Sequence, residues 1–143
     1  MVGLDRMIKD MKRLSAETRG KVEEVFTAHV SALHADIVDN MTNTQTNPDV
    51  AYFKHNKRIP HHPSLPYNAP AVDTGALRRS ISEKVESDAY SVSAEIGSTL
   101  NNPPYPVYLE YGTTRMSPRP WLAPAVKARE SELNENLRGV LDV

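Results

Sequence analysis

A chain of 143 residues with a formal net charge of −1, no cysteine and only two phenylalanines has the size of one domain, yet it holds little bulky apolar volume for a core. The near-neutral charge lacks the basic excess of most nucleic-acid-binding domains, and the absence of cysteine excludes disulfides and thiolate chemistry. No apolar run approaches the roughly 20 residues needed to cross a bilayer, and Met1 to Asp10 lack the apolar region of a signal peptide. The chain therefore reads as one soluble domain, 1–143, made in the cytoplasm and relying on a partner for some of its burial.

Residues 3–42 form the longest periodic segment. Leu4, Met7, Ile8, Met11, Leu14, Thr18, Val22, Val25, Phe26, His29, Val30, Leu33, Ile37 and Met41 recur at steps of three and four, which places them on one stripe of a helix. Gly20 is its weak point, costing about 1 kcal/mol relative to alanine. A helix of some forty residues would run about 60 Å, too long for one small domain, so its N-terminal end is expected to project onto a neighbouring subunit. Residues 43–72 are rich in proline and polar residues, and Tyr52-Phe53-Lys54-His55-Asn56-Lys57-Arg58 is basic and aromatic. Loops of this length are usually functional or disordered, and an arm that orders only against a partner is expected.

From Asp73 to the end, 73–143, the pattern sharpens into an α+β core. Asp73 or Thr74 is placed to cap a short helix burying Leu77 and Ile81. Val85 marks a first strand, Ser87-Asp88 a turn, and the alternation of Tyr90, Val92, Ala94 and Ile96 a second, giving an antiparallel hairpin. Tyr105 to Tyr111 make two helical turns stopped at Gly112. Ser117-Pro118 has the form of a cap followed by proline at the first helical position, with the last regular helix starting near Trp121 and keeping Pro124 in its first turn. The stretch 105–126 holds the only tryptophan, Trp121, and is dense in tyrosine and proline, the composition of a rigid joint. In it, Tyr108, Tyr111 and Trp121 are expected to pack the short helix on the hairpin, and Pro118 and Pro120 to aim the last helix.

Candidate chemistry is sparse. Asp73-Thr74-Gly75-Ala76 matches the signature of aspartic proteases, in which two aspartates share a proton, but here it leads into Leu77-Arg78-Arg79, whose cations would hold Asp73 ionised. A helix cap is the simpler reading. His29, His34, His55, His61 and His62 fit no common zinc spacing, so no metal and no cofactor are expected. Glu110 with Arg115 and Arg119 reads as a structural ion pair locking the joint rather than a catalytic carboxylate. The lysines and arginines are interleaved with acids, as on a solvated mixed surface, although a DNA-binding module with salt-dependent affinity is a second alternative. No phosphate loop, nucleophile elbow or paired-carboxylate site is present.

Three stretches in order carry a family resemblance. They are Val72-Asp73-Thr74-Gly75-Ala76-Leu77-Arg78-Arg79-Ser80-Ile81, Tyr105-Pro106-Val107-Tyr108-Leu109-Glu110-Tyr111-Gly112-Thr113, and Met116-Ser117-Pro118-Arg119-Pro120-Trp121-Leu122-Ala123-Pro124-Ala125. Together they resemble the head–tail joining, neck and tail-completion proteins of tailed bacteriophages, including the gene-product-ten-like minor tail components of siphophages. Leu109, Tyr111 and Trp121 are conservative departures from that pattern, and the insertion at 43–72 is longer than usual. The resemblance, over residues 72–130, implies a non-enzymatic virion component assembled in the bacterial host cytoplasm. It implies a self-associating ring of six-fold symmetry around the DNA channel, joining other connector proteins to the tail tube, with non-specific DNA contact in the lumen and no membrane. The N-terminal helix and the 43–72 arm are the expected ring interface. Asp73, Gly75, Leu77, Arg78, Tyr108, Glu110, Tyr111, Gly112, Arg119, Pro120 and Trp121 are the expected structural and interface residues.

Overall fold

The computed structural model describes residues 16–53, 60–89, 91–100 and 104–141. In chain order it contains helix α1 (Ala16–Thr42), short helix α2 (Ala76–Ser80), strands β1 (Ile81–Ser87) and β2 (Val92–Ser98), helix α3 (Tyr105–Tyr111) and helix α4 (Ala123–Leu141). This is an α+β fold with a small antiparallel sheet between a long N-terminal and a shorter C-terminal helix. The part of the expected long helix before Ala16 lies outside the described residues.

α1 passes through Gly20 without interruption and, at 27 residues, is about 40 Å long. Its apolar stripe falls where the spacing requires, with Val22, Val30, Leu33, Ile37 and Met41 all buried. The hairpin runs from Ile81 opposite Ser98 to Ser87 opposite Val92 and lies back along α1. His34 and Ser31 bond Glu83 at 2.9 and 3.2 Å, Ser87 donates to Glu23 at 3.0 Å, and Arg19 donates to the Ala89 carbonyl at 3.1 Å. α4 is antiparallel to α1: Arg129 meets Asp36, while Lys21 and Glu24 line one groove with Asn136 and Val140.

The core sits at one end of this assembly. Leu33, Ile37 and Met41 of α1 pack with Leu77, Ile81, Leu109, Trp121 and Ala125, and Val72, Ile96, Met116 and Leu122 close the cluster's sides. In the chain between α1 and α2 the described limbs run antiparallel, with isolated bridges at Thr46–Ser64 and Tyr52–His61 and a reciprocal pair of 2.9 Å backbone bonds between Tyr52 and His61. Thr44 Oγ1 donates to the Ala69 carbonyl at 2.7 Å and anchors the base. The basic run after Phe53, Lys54 to Arg58, lies outside the described residues, as does Tyr90 of the expected second strand.

Two expected caps are replaced. Gly75, in the left-handed region at φ 79°, occupies the N-cap of α2, and Thr74 serves from one residue earlier by accepting the Ala76 N–H at 3.2 Å. Ser117 and Pro118 do not start a helix: residues 117–120 have no regular structure, the chain bends at Trp121 and Leu122, and the helix begins at Ala123.

Candidate functional site

The joint between α3 and α4 is held by a carboxylate. Glu110 Oε2 accepts the backbone N–H groups of Trp121 and Leu122 at 2.8 and 3.0 Å, and Oε1 accepts that of Ala123 at 2.9 Å. These are the orphan donors at the start of α4, and an anion there also faces the positive end of the helix dipole. The expected ion pair of Glu110 with Arg115 or Arg119 is therefore corrected: Glu110 serves as a cap delivered from another helix. Pro120 precedes the turn and Pro124 lies inside the first helical turn, where a missing N–H costs little.

Arg119 holds two other elements. Its backbone N–H donates to the Leu109 carbonyl at 2.7 Å, and its side-chain Nε donates to the Ser64 carbonyl at 3.2 Å, so one residue ties α3 to the arm. Tyr67, a non-glycine residue at φ 68°, adds a second tie through its N–H to the Pro118 carbonyl at 2.8 Å. Trp121 is buried, at 5% exposure, and its indole N–H donates to the Pro106 carbonyl at 2.9 Å. Gly112 ends α3 at φ 74° and donates its N–H to the Tyr108 carbonyl at 2.8 Å. A Cβ there would stand 2.8 Å from the Met116 carbonyl oxygen and 2.9 Å from Pro118, so both conformation and space require glycine.

Two tyrosines do not pack as expected. Tyr108 is 44% and Tyr111 77% exposed, and Tyr111 lines a shallow groove with Leu122 and Val126. Only Pro106 and Leu109 of α3 are buried, leaving Tyr105, Val107, Tyr108 and Tyr111 facing outward as one aromatic and apolar surface. A groove of about 540 Å³ adjoins it, lined by Tyr52, His61, Ser64, Tyr105, Arg115 and Arg119 among others. Ser64 is 1% exposed and its hydroxyl has no hydrogen-bond partner. No sequence periodicity marked Ser64, because it stands in the run Pro63-Ser64-Leu65-Pro66.

Asp73 is half-buried, and its Oδ1 lies 3.8 Å from His61 Nδ1. Leu77 is buried below it, Arg78 is half-buried, and Arg79 folds over Gly75 to donate to the Thr74 carbonyl at 3.1 Å. The Asp-Thr-Gly stretch thus forms the entry to α2. His62 Nδ1 lies 2.9 Å from the Val50 carbonyl, which can only accept, so that nitrogen carries the proton. No group of three or more His, Asp or Glu suited to hold a metal occurs among the described residues.

A second polar seam escaped the sequence pattern altogether. Arg129 forms a two-pronged pair with Asp36, including Nη2 to Oδ1 at 3.1 Å, and also reaches Glu132 at 2.9 Å. The hydrogen bond from Arg129 holds the Asp36 carboxyl below its usual range and raises the guanidinium's own pKa. His29 lies in the same α1–α4 groove; burial lowers its pKa, with Glu132 opposing and Arg129 reinforcing that shift. No helix among the described residues is long and apolar enough to cross a membrane.

Comparison with known protein families, with curated proteins and with solved structures returns no match to this chain.

Proposed function

We propose that this chain is a structural virion protein of a tailed-phage neck, joining head to tail or completing the tail as an oligomeric ring around the DNA channel, and that it is not an enzyme. The observation that carries this reading is the outward face of α3. A seven-residue helix that leaves two tyrosines, Tyr108 and Tyr111, in solvent beside Tyr105 and Val107 has the composition of a protein-binding surface. The groups that resembled chemistry are used in holding shape: Glu110 caps α4, Arg119 ties the arm, and Asp73 stands at the start of α2 beside His61. The three motif stretches of the resemblance form this joint and the α2 entry. Partners on this reading are further copies of the chain, neighbouring connector proteins and the tail tube, with any DNA contact non-specific.

Negative-stain images of the purified protein test it. Rings with a lumen wide enough for duplex DNA are expected, six-fold by the resemblance, and exclusively monomeric particles at high protein concentration would overturn the reading. Removing residues 1–15, which precede α1, is expected to leave a folded chain by circular dichroism that no longer forms rings by light scattering.

A further inference from the structure

The fold separates charge that the sequence interleaves. Across α1, the hairpin and α4 (residues 16–42, 81–98 and 123–141) there are six lysines and arginines against twelve aspartates and glutamates. The groove between the arm and α3 is lined by Arg115, Arg119 and His61 and, among the described residues, by no carboxylate, although Asp73 lies 3.8 Å from His61 behind it. The hairpin turn meets α1 near Arg19 and Glu23, whereas the arm leaves from its other end, after Thr42. Within one copy the acidic excess and the cationic groove thus lie on different parts of the fold.

The groove also has the residue types of a protein-binding centre. Tyr52, Tyr105 and Met116 stand with the two arginines, and among the described residues no lysine lines it. Tyrosine, methionine and arginine are enriched at protein interfaces, while lysine and the acids are depleted. Phosphate-binding surfaces, by contrast, draw on lysine as readily as arginine.

We propose that this groove receives the acidic helix–hairpin body of a second copy of the chain, in a head-to-tail contact. The proposal rests on the assembly reading above and names its interface. Two grooves cannot meet face to face, because Arg115 and Arg119 of one copy would oppose the same cations of the other. Groove-to-body contact avoids this. It uses two different surfaces, so it is heterologous, and a heterologous contact with a closing rotation generates a ring.

The test places the photo-cross-linker p-benzoylphenylalanine at Tyr52, whose side chain is exposed at the groove, in the full chain. Irradiation is expected to give a cross-linked dimer whose joined peptide maps to residues 16–42, 81–98 or 123–141 of the second copy. Adding Arg115→Glu is expected to lower the dimer yield at least about tenfold, the effect of losing a central interface arginine, whereas Arg115→Lys retains most of it. Arg115 is exposed, so circular dichroism and Tm should be unchanged in both. A cross-link joining groove to groove, or a yield unmoved by Arg115→Glu, overturns the proposal even where rings are seen. A labelled DNA duplex bound by the native chain and released by Arg115→Glu, with no cross-linked dimer, assigns the groove to phosphate and overturns it as well. A head-to-tail cross-link without rings in negative stain would instead sink the ring reading and leave this contact standing.

Discussion

Glu110 holds together two elements that no local signal connects, since its three acceptor contacts reach residues 11 to 13 positions further along. An N-cap substitution typically costs about 1 kcal/mol and up to 2, and hydrogen bonds to a charged acceptor sit at the upper end of the usual scale. Glu110→Ala should therefore destabilise the chain by about 2 kcal/mol in urea titration, taking both the cap and the α3–α4 angle with it. Glu110→Gln keeps one acceptor oxygen and should lose about half as much. The fluorescence of Trp121, the only tryptophan, reports the same event, because its indole is buried against Pro106. Equal stability of all three proteins would remove the cap from the account. Ser64 makes the opposite case. Its hydroxyl is buried and unpartnered, and an unsatisfied buried hydroxyl costs about 1–3 kcal/mol. Ser64→Ala should consequently leave the isolated chain as stable or more stable, by up to about 1 kcal/mol. Clear destabilisation in the same titration would mean that the hydroxyl has a partner in solution.

At the scale of elements, legibility followed periodicity. The stripe of α1 from Val22 to Met41, the alternating hairpin and the α3 boundary at Gly112 could all be read, because each has a repeat or a stop residue within a few positions. The orientation of α3 could not: Tyr105, Val107, Tyr108, Leu109 and Tyr111 put apolar groups almost all round two turns, so no spacing selects the buried face. The arm's antiparallel pairing was equally hidden, since a proline-rich run has no period. The Arg129–Asp36 seam joins residues 93 positions apart, and only the packing of α4 on α1 brings them together. That seam makes stability depend on pH in two windows. The folded pKa of His29 lies below its ordinary 6.5 through burial, so the unfolded chain takes up that proton first, and stability should fall as pH drops below about 6.5. The Asp36 carboxyl is held below 3.8 by Arg129; its contribution is complete above that value and is lost as pH falls through the lowered one. Urea midpoints measured from pH 8 to pH 3 should show both losses. His29→Gln should flatten the upper window alone and Asp36→Asn the lower, and a His29→Gln profile identical to the native one would refute the first assignment.

Taken whole, the molecule has its core at one end and tapers at the other. Leu33, Ile37, Met41, Leu77, Leu109 and Trp121 form one buried cluster, whereas in the distal half of α4 Leu133, Leu137 and Val140 are only half-buried and Leu141 is exposed. Around the first turns of α1, Val22 is the one buried apolar residue among those described. Local opening free energy follows the apolar contacts that opening must break, so protection against hydrogen exchange should be graded along both helices rather than uniform. In the isolated chain, amides of 30–41, 105–111 and 121–126 should exchange at least about tenfold more slowly than those of 17–25 and 133–141. Assembly should then change the pattern selectively. In a head-to-tail ring every copy presents both surfaces, so slowing on ring formation should fall on 17–25, the hairpin and 133–141 and also around the groove residues Tyr52, His61, Arg115 and Arg119, while the buried cluster, already protected, changes little. Slowing confined to the groove and the exposed face of α3, with the loose end unchanged, would refute the acidic body as the surface that the groove receives. Uniform exchange in the isolated chain would show that the modest core holds both ends equally and that the taper has no energetic consequence.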